Sequence, residues 1–191
     1  MGGPVVLNDL GGIEALTYVP DAENPDVGFF FVGRQEDARI FVFQVPAALA
    51  DPVASIRQPQ ISEMRYLGAI RPPGPGKDLS ALYSTAGSQL FAVFDKAQEL
   101  IEMDLLDKRI AAVMELARVG SAQVDNVAAL VDMSRVKTTV VETPRRGIEA
   151  FAIAPTADGQ LHLFVGLDHN KKKVRELHRY TCKVEDDQAS S

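Results

Sequence analysis

The sequence predicts an all-β protein, a partial β-propeller of about three four-stranded antiparallel blades. Three observations lead to this fold class. A short motif occurs twice and, in a weaker form, a third time at nearly regular spacing. Each copy is followed by the same order of turn, apolar run, polar loop and alternating segment. Recurring short strands separated by turn residues are typical of propellers.

The repeated motif is Gly-Ile-Glu-Ala, which begins at Gly12 and recurs identically from Gly147. A weaker copy, Asp-Leu-Ser-Ala, begins at Asp78, which is 66 positions after Gly12 and 69 before Gly147. The spacing indicates one propeller-like domain with three consecutive units and a short tail. We expect the units at about 12–77, 78–146 and 147–183, and a disordered tail at 184–191.

The strands are predicted from periodicity. Continuous apolar runs predict buried second strands at 29–32, 90–94 and 161–165, and alternation predicts half-buried third strands at 40–45, 100–105 and 174–180. Fourth strands are expected at 64–70 and 138–143. Residues 4–7 are expected as the last strand of a blade whose other strands are absent or are supplied by the third unit. The periodicity does not decide whether 108–117 forms a helix or a strand, or whether 125–130 forms a short helix or an extra strand.

Composition narrows the functional classes. A net charge of −6 argues against a nucleic-acid-binding or anionic-membrane-binding surface. No apolar run approaches the roughly 20 residues that span a bilayer, and the N-terminus lacks the features of a signal peptide, so we expect a soluble protein of unknown compartment. Cys182 is the only cysteine, which leaves no intrachain disulfide.

Three polar loops are the predicted ligand-binding loops, because they connect equivalent strands and therefore emerge on one face. They suit a small-molecule ligand or a protein partner. In the third loop His169 is also the one candidate for an acid or base. The candidate binding residues are Arg34, Gln35, Asp95, Lys96, Asp168, His169 and Asn170.

The motif has two close copies, from Gly12 to Leu16 and from Gly147 to Phe151, and a divergent middle copy at 78–82. These copies resemble the blades of phytase-like and SdiA-regulated six-bladed propellers. In phytases and lactonases of this kind, acidic residues near the inner strands hold calcium. The resemblance implies that Glu14 and Glu149 are metal ligands, whereas the middle copy has Ser80 at this position. It also implies a calcium-dependent phosphoesterase or lactonase as an alternative function.

The first-ranked function is a scaffold for ligand or protein binding. The chain has no Gly-x-Ser-x-Gly, no phosphate-binding Gly-x-x-x-x-Gly-Lys and no His-Glu-x-x-His, so no catalytic motif supports an enzyme. If the protein is an enzyme, the resemblance implies a metal-dependent hydrolase. The two glutamates also have a structural interpretation, in which each accepts backbone hydrogen bonds and fixes the turn between blades.

Three blades leave an open arc, because propellers close with roughly four to eight blades. The sequence therefore leaves three interpretations open. The chain is part of a larger propeller, it forms a homodimer with a six-bladed ring, or its ends are capped.

Overall fold

The computed structural model describes residues 12–21, 28–45, 64–85, 89–106, 108–115, 130–132, 139–142, 147–155, 157, 161–169 and 174–182. Within them lie twelve strands and one helix. The strands are β1 (Ile13–Pro20), β2 (Gly28–Arg34), β3 (Ile40–Val45), β4 (Arg65–Arg71), β5 (Leu79–Ser84), β6 (Gln89–Phe94), β7 (Glu99–Asp104), β8 (Leu130–Asp132), β9 (Thr139–Glu142), β10 (Ile148–Pro155), β11 (Leu161–His169) and β12 (Val174–Cys182). The helix, α1, is Lys108–Glu115.

The strands form three separate sheets, which we call blades 1, 2 and 3. Blade 1 has the order β1-β2-β3-β4-β8, blade 2 has β5-β6-β7-β9, and blade 3 has β10-β11-β12. All neighbours pair antiparallel except β4 and β8, which are parallel. The fold is thus all-β and propeller-like with three blades, as the sequence predicts.

The blades pack through apolar side chains that alternate along each strand. A cluster containing Phe31 of blade 1 and Phe94 of blade 2, both fully buried, joins the first two blades. A second cluster joins Phe91 and Val93 of blade 2 to Phe151 and Val165 of blade 3. The inner strands β1, β5 and β10 lie side by side, with β5 between the other two. We call these two contacts between blades the first and second junctions.

Each inner strand begins in the same way. Gly12, Asp78 and Gly147 all have a positive φ, of 72°, 65° and 84°. Their carbonyls accept hydrogen bonds from the backbone N–H groups of Gln35 (2.9 Å), Asp95 (3.2 Å) and Asp168 (2.9 Å), respectively. Glycine adopts a left-handed conformation at no steric cost and aspartate tolerates it, which explains the residue types found at these three positions.

The helix resolves one ambiguity of the sequence. Residues 108–115 form α1, whose Ile110 and Val113 are three residues apart and therefore share one face, buried in the cluster of the first junction. The ladder of blade 1 also gains β8, a short strand that starts at Leu130. No helix in the described part of the chain is long and apolar enough to cross a membrane.

One loop prediction is wrong. Asp168 and His169 were predicted to lie in a loop, but they are the last residues of β11, because the ladder continues through the pairs Asp168–Arg175 and His169–Val174. The predicted strand at residues 4–7 and the predicted tail at 184–191 lie outside the described residues.

Candidate functional site

An open cavity of about 520 Å³ lies where the ends of β1, β10, β11 and β12 meet. Four carboxylate side chains line it, together with one guanidinium group and three small or apolar residues. The acidic cavity, as we call it, is lined by Glu14, Glu149, Asp168, Glu176, Arg175, Ala150, Gly166 and Leu167. Blades 1 and 3 therefore contribute residues to the same space, although blade 2 lies between them.

A β-bulge places each of the two motif glutamates. In β1 the pairing with β2 skips from Ile13 to Ala15, and in β10 the pairing with β11 skips from Ile148 to Ala150. Glu14 and Glu149 are therefore the extra, unpaired residues. A bulge bends the strand and can redirect a side chain, and here both bulges place a carboxylate at the cavity.

The bulge also occurs in β5, where the pairing skips from Leu79 to Ala81 and the extra residue is Ser80. Its side chain is buried and its hydroxyl donates to the carbonyl of Val93 at 3.3 Å. The middle blade thus keeps the backbone irregularity but satisfies the side chain internally. It contributes no side chain to the lining of the cavity.

The carboxylates interact electrostatically. The pKa of Glu149 is raised, first by partial burial and then by the negative charges of Glu14, Asp95 and Asp168. Both glutamate side chains remain exposed by surface area, so water screens part of this repulsion. Repulsion between neighbouring carboxylates favours the binding of a cation or a proton at such a site. Two basic groups also lie near these carboxylates, since Arg175 lines the cavity and His178 contacts Glu176 at 2.5 Å.

Within the described residues, neither glutamate side chain accepts a hydrogen bond that would fix a turn between blades. Asp95 makes the contact of this kind that the structure describes. Its Oδ1 accepts the backbone N–H of Gly147 and, at 3.0 Å, that of Ile148. The carboxylate of blade 2 thus caps the start of β10, and sequence reasoning had placed Asp95 only in a ligand-binding loop.

The other residues of the predicted binding loops also make contacts within the protein. The Nε group of Arg34 donates to Asp37 at 2.8 Å, and its guanidinium lies 5.3 Å from the ring centroid of Phe41. The carbonyl of Gln35 accepts the N–H of Asp78 at 2.6 Å, and the ammonium of Lys96 lies 2.5 Å from Asp78 Oδ1. Of these contacts, the hydrogen bond between Asp78 and Gln35 joins blades 1 and 2, and the others lie within a single blade.

Of the third loop, Asp168 lines the cavity, the side chain of His169 is not among the described atoms, and Asn170 lies outside the described residues. The sequence analysis did not predict Arg175 and Glu176 as lining residues. Their place in the cavity follows from the pairing of β11 with β12, in which Arg175 lies directly opposite Asp168.

Within the described ranges, no group of three or more histidine, cysteine, aspartate or glutamate side chains is arranged to hold a metal ion. The assignment of Glu14 and Glu149 as calcium ligands stays a prediction. Two carboxylates are far fewer than the six to eight oxygen ligands that calcium takes.

A scan against protein-family models and a search of curated proteins both give no match to this chain. The resemblance to phytase-like and SdiA-regulated propellers therefore stays an expectation from the motif residues. The fold and the geometry of the acidic cavity are the basis for any functional argument.

Proposed function

We propose that this protein is a propeller-like binding scaffold whose acidic cavity receives a small organic ligand with a positively charged amino group. The observation that carries the proposal is the raised pKa of Glu149 at a cavity that Glu14 also lines. A cation between these carboxylates would replace their mutual repulsion with attraction.

The dimensions of the cavity suit such a ligand. Its volume of about 520 Å³ is within the range of roughly 300–1,000 Å³ typical of small-molecule sites. Among the described residues the lining is acidic on balance, with four carboxylates and the guanidinium of Arg175, and Ala150 and Leu167 add apolar surface. An aliphatic polyamine, which carries several ammonium groups on an apolar chain, combines both properties.

The scaffold can hold the two glutamates in place because both are backbone-determined. Each lies on a bulge that follows a positive-φ glycine, and the carbonyl of each glycine accepts a backbone hydrogen bond, Gly12 from Gln35 just after β2 and Gly147 from Asp168 in β11. The site is therefore organised before a ligand arrives, which reduces the entropy lost on binding.

The proposal is tested by isothermal titration of spermidine at low ionic strength. We expect binding to weaken about tenfold in Glu149→Gln, and further in the double variant Glu14→Gln/Glu149→Gln, because each substitution removes a charge from the cavity. Glu36→Gln is the matched control, since Glu36 is an exposed glutamate in the β2–β3 turn and does not line the cavity. Equal weakening in Glu36→Gln would show a non-specific effect of net charge and contradict the proposal.

The same experiment distinguishes the amine-binding scaffold from the calcium-dependent hydrolase that the resemblance implies. Calcium is titrated in place of spermidine, and phosphomonoester and lactone hydrolysis is assayed with and without it. Tight calcium binding that depends on Glu14 and Glu149 and supports turnover would replace the amine-binding proposal with the enzyme.

A further inference from the structure

The acidic cavity has two ends that differ in charge. Glu14 and Glu149 lie at its inner end, on β1 and β10, which are inner strands of blades 1 and 3. Arg175 lies at the outer end, on β12, and β11 separates this strand from β10 in blade 3. Neighbouring strands are about 4.8 Å apart, so the backbones of Glu149 and Arg175 are separated by roughly 10 Å. The cavity therefore offers carboxylates at one end and a guanidinium group at the other.

Small residues lie between these two ends. Ala150 pairs with Gly166, and Asp168, two residues further along β11, pairs with Arg175. Directly paired residues share one face of a sheet, as do residues two apart in a strand, so these four lie on one face of blade 3. A Cβ atom placed on Gly166 would lie 3.1 Å from that of Ala150. A glycine and an alanine thus leave room for the chain of a ligand between the two ends.

The guanidinium of Arg175 has no ionic partner among the described residues. Arg175 is exposed, and it forms no ion pair there with Asp168, although the two stand opposite each other in the ladder. Glu176 has a basic partner of its own, since His178 Nε2 lies 2.5 Å from Glu176 Oε2. A guanidinium presents a planar set of donors that matches the two oxygens of a carboxylate. Arg175 is therefore available to an anionic group of a ligand.

From this arrangement we propose that the cavity binds a zwitterionic ligand, a short peptide whose terminal ammonium group lies between Glu14 and Glu149 and whose terminal carboxylate binds Arg175. Such a ligand is one case of the amine-binding function proposed above, on which this assignment rests. An extended chain spans about 3.3–3.6 Å per residue, so a tripeptide matches the roughly 10 Å between the two ends. Arg175 is then the residue that selects a zwitterion over a simple amine.

The test compares triglycine with its C-terminal amide, which keeps the length and the ammonium group but has no carboxylate. Isothermal titration at low ionic strength should show that the wild-type protein binds triglycine about tenfold more tightly than the amide, because the carboxylate forms charge-assisted hydrogen bonds with Arg175. A cavity that recognises positive charge alone would give the reverse order, since the amide carries the larger positive charge. That order, or equal binding, would overturn the assignment.

The variant Arg175→Gln tests the residue itself. Triglycine should bind about tenfold more weakly to this variant, whereas its amide should bind at least as tightly as to the wild type, because the cavity has lost a positive charge. If Arg175 only neutralises Asp168, then the substitution would strengthen the binding of both peptides and the assignment would be wrong. Circular dichroism checks that the variant is folded.

Arg179→Gln is the matched control, since Arg179 is an exposed arginine of the same strand and is not among the residues that line the cavity. This variant loses the same charge as Arg175→Gln. It should keep the preference for triglycine over the amide. If the preference disappears in Arg179→Gln as well, then it depends on the net charge of the protein, and the role assigned to Arg175 is refuted.

A third peptide separates this assignment from the amine-binding function. N-acetyltriglycine keeps the carboxylate but has no ammonium group, and it should bind at least about tenfold more weakly than triglycine. If it binds as tightly as triglycine, then the amine-binding function fails and the zwitterion fails with it. If spermidine and the amide bind in a manner that depends on Glu149, but triglycine binds no more tightly than the amide, then amine binding stands and only the assignment to Arg175 is overturned.

Discussion

The first and second junctions share one backbone geometry but use different chemistry. At the first junction the N–H of Asp78 donates to a backbone carbonyl, that of Gln35, whereas at the second the N–H of Gly147 donates to the Asp95 carboxylate. The apolar clusters also differ, with nineteen buried described residues at the first junction and eight at the second. The first junction thus has the larger apolar cluster, while at the second the start of the inner strand is held by a side-chain carboxylate.

The largest effect is expected at the first junction. Phe31→Ala should lower the free energy of unfolding by about 3–5 kcal/mol, because this fully buried ring lies in the larger cluster and its removal leaves a cavity. Phe151→Ala, the comparison at the second junction, should cost less, since its ring is 8% exposed in the smaller cluster. Urea unfolding of both variants measures the difference, and equal losses would refute the ranking of the junctions.

The second junction should be most sensitive at Asp95. Asp95→Ala should cost about 1.5–3 kcal/mol, because it leaves the N–H groups of Gly147 and Ile148 without their charged acceptor. Urea unfolding checks this, with Asp104→Ala as the control, since the hydrogen bond that Asp104 accepts among the described residues is a local and exposed one from Leu106. A loss no larger than that of the control would show that Asp95 does not stabilise the second junction, which would then rest on apolar packing and on the hydrogen bond from the Tyr83 hydroxyl to the Ile153 carbonyl at 2.7 Å.

The stability that the turn after β2 contributes, where Gln35 accepts its hydrogen bond, should decrease in acid. The ion pair with Arg34 holds the pKa of Asp37 below its usual value, so the stability it contributes is present above the unfolded-state pKa of aspartate and is lost as pH falls through the folded-state pKa. Asp37→Asn should cost about 1 kcal/mol at neutral pH, because the pair is only partly buried. Thermal melts from neutral to acidic pH should converge for the two proteins. A constant gap would exclude the ion pair as the cause.

The smallest effect is expected at the acidic cavity and has the opposite sign. Glu149 has a raised pKa, so the folded protein binds its proton more tightly than the unfolded chain, and stability falls as pH rises from the unfolded-state to the folded-state value. Glu149→Gln should therefore stabilise the protein at neutral pH, by less than about 1 kcal/mol because the site is screened. The same melts should show no gain in acid, and a loss at neutral pH would contradict the repulsion.

Much of the fold could be predicted from periodicity. A strand with one buried face alternates apolar and polar residues, and a strand with two buried faces is continuously apolar. The third strand of blade 1 is predicted at 40–45 and forms as Ile40–Val45, and the inner strands follow their glycine or aspartate signals. Residues 108–115 were ambiguous because a short apolar segment suits either period. Packing of Ile110 and Val113 against blades 1 and 2 selects the helix.

The candidate site was predictable only in part. The repetition of Gly12-Ile13-Glu14 at Gly147 identified both cavity glutamates, since equal positions in the repeat occupy equal positions in the two ladders. The role of Asp95 was not predictable, because its partners lie more than fifty residues away in the chain. Nor could the sequence alone place Arg175 in the cavity, which depends on how far the β11–β12 ladder extends.

The parallel pairing of β8 with β4 has a consequence for the order of folding. Ala69, Ile70 and Arg71 take as their ladder partners Leu130, Val131 and Asp132, which follow all of β5 to β7 in the chain. Blade 1 therefore reaches its full width only after most of blade 2 has been synthesised. Such long-range contacts slow folding, because the intervening chain must be ordered before they form. A nascent chain that stops short of residue 130 would leave the outer edge of β4 without this partner, as an unpaired strand open to association.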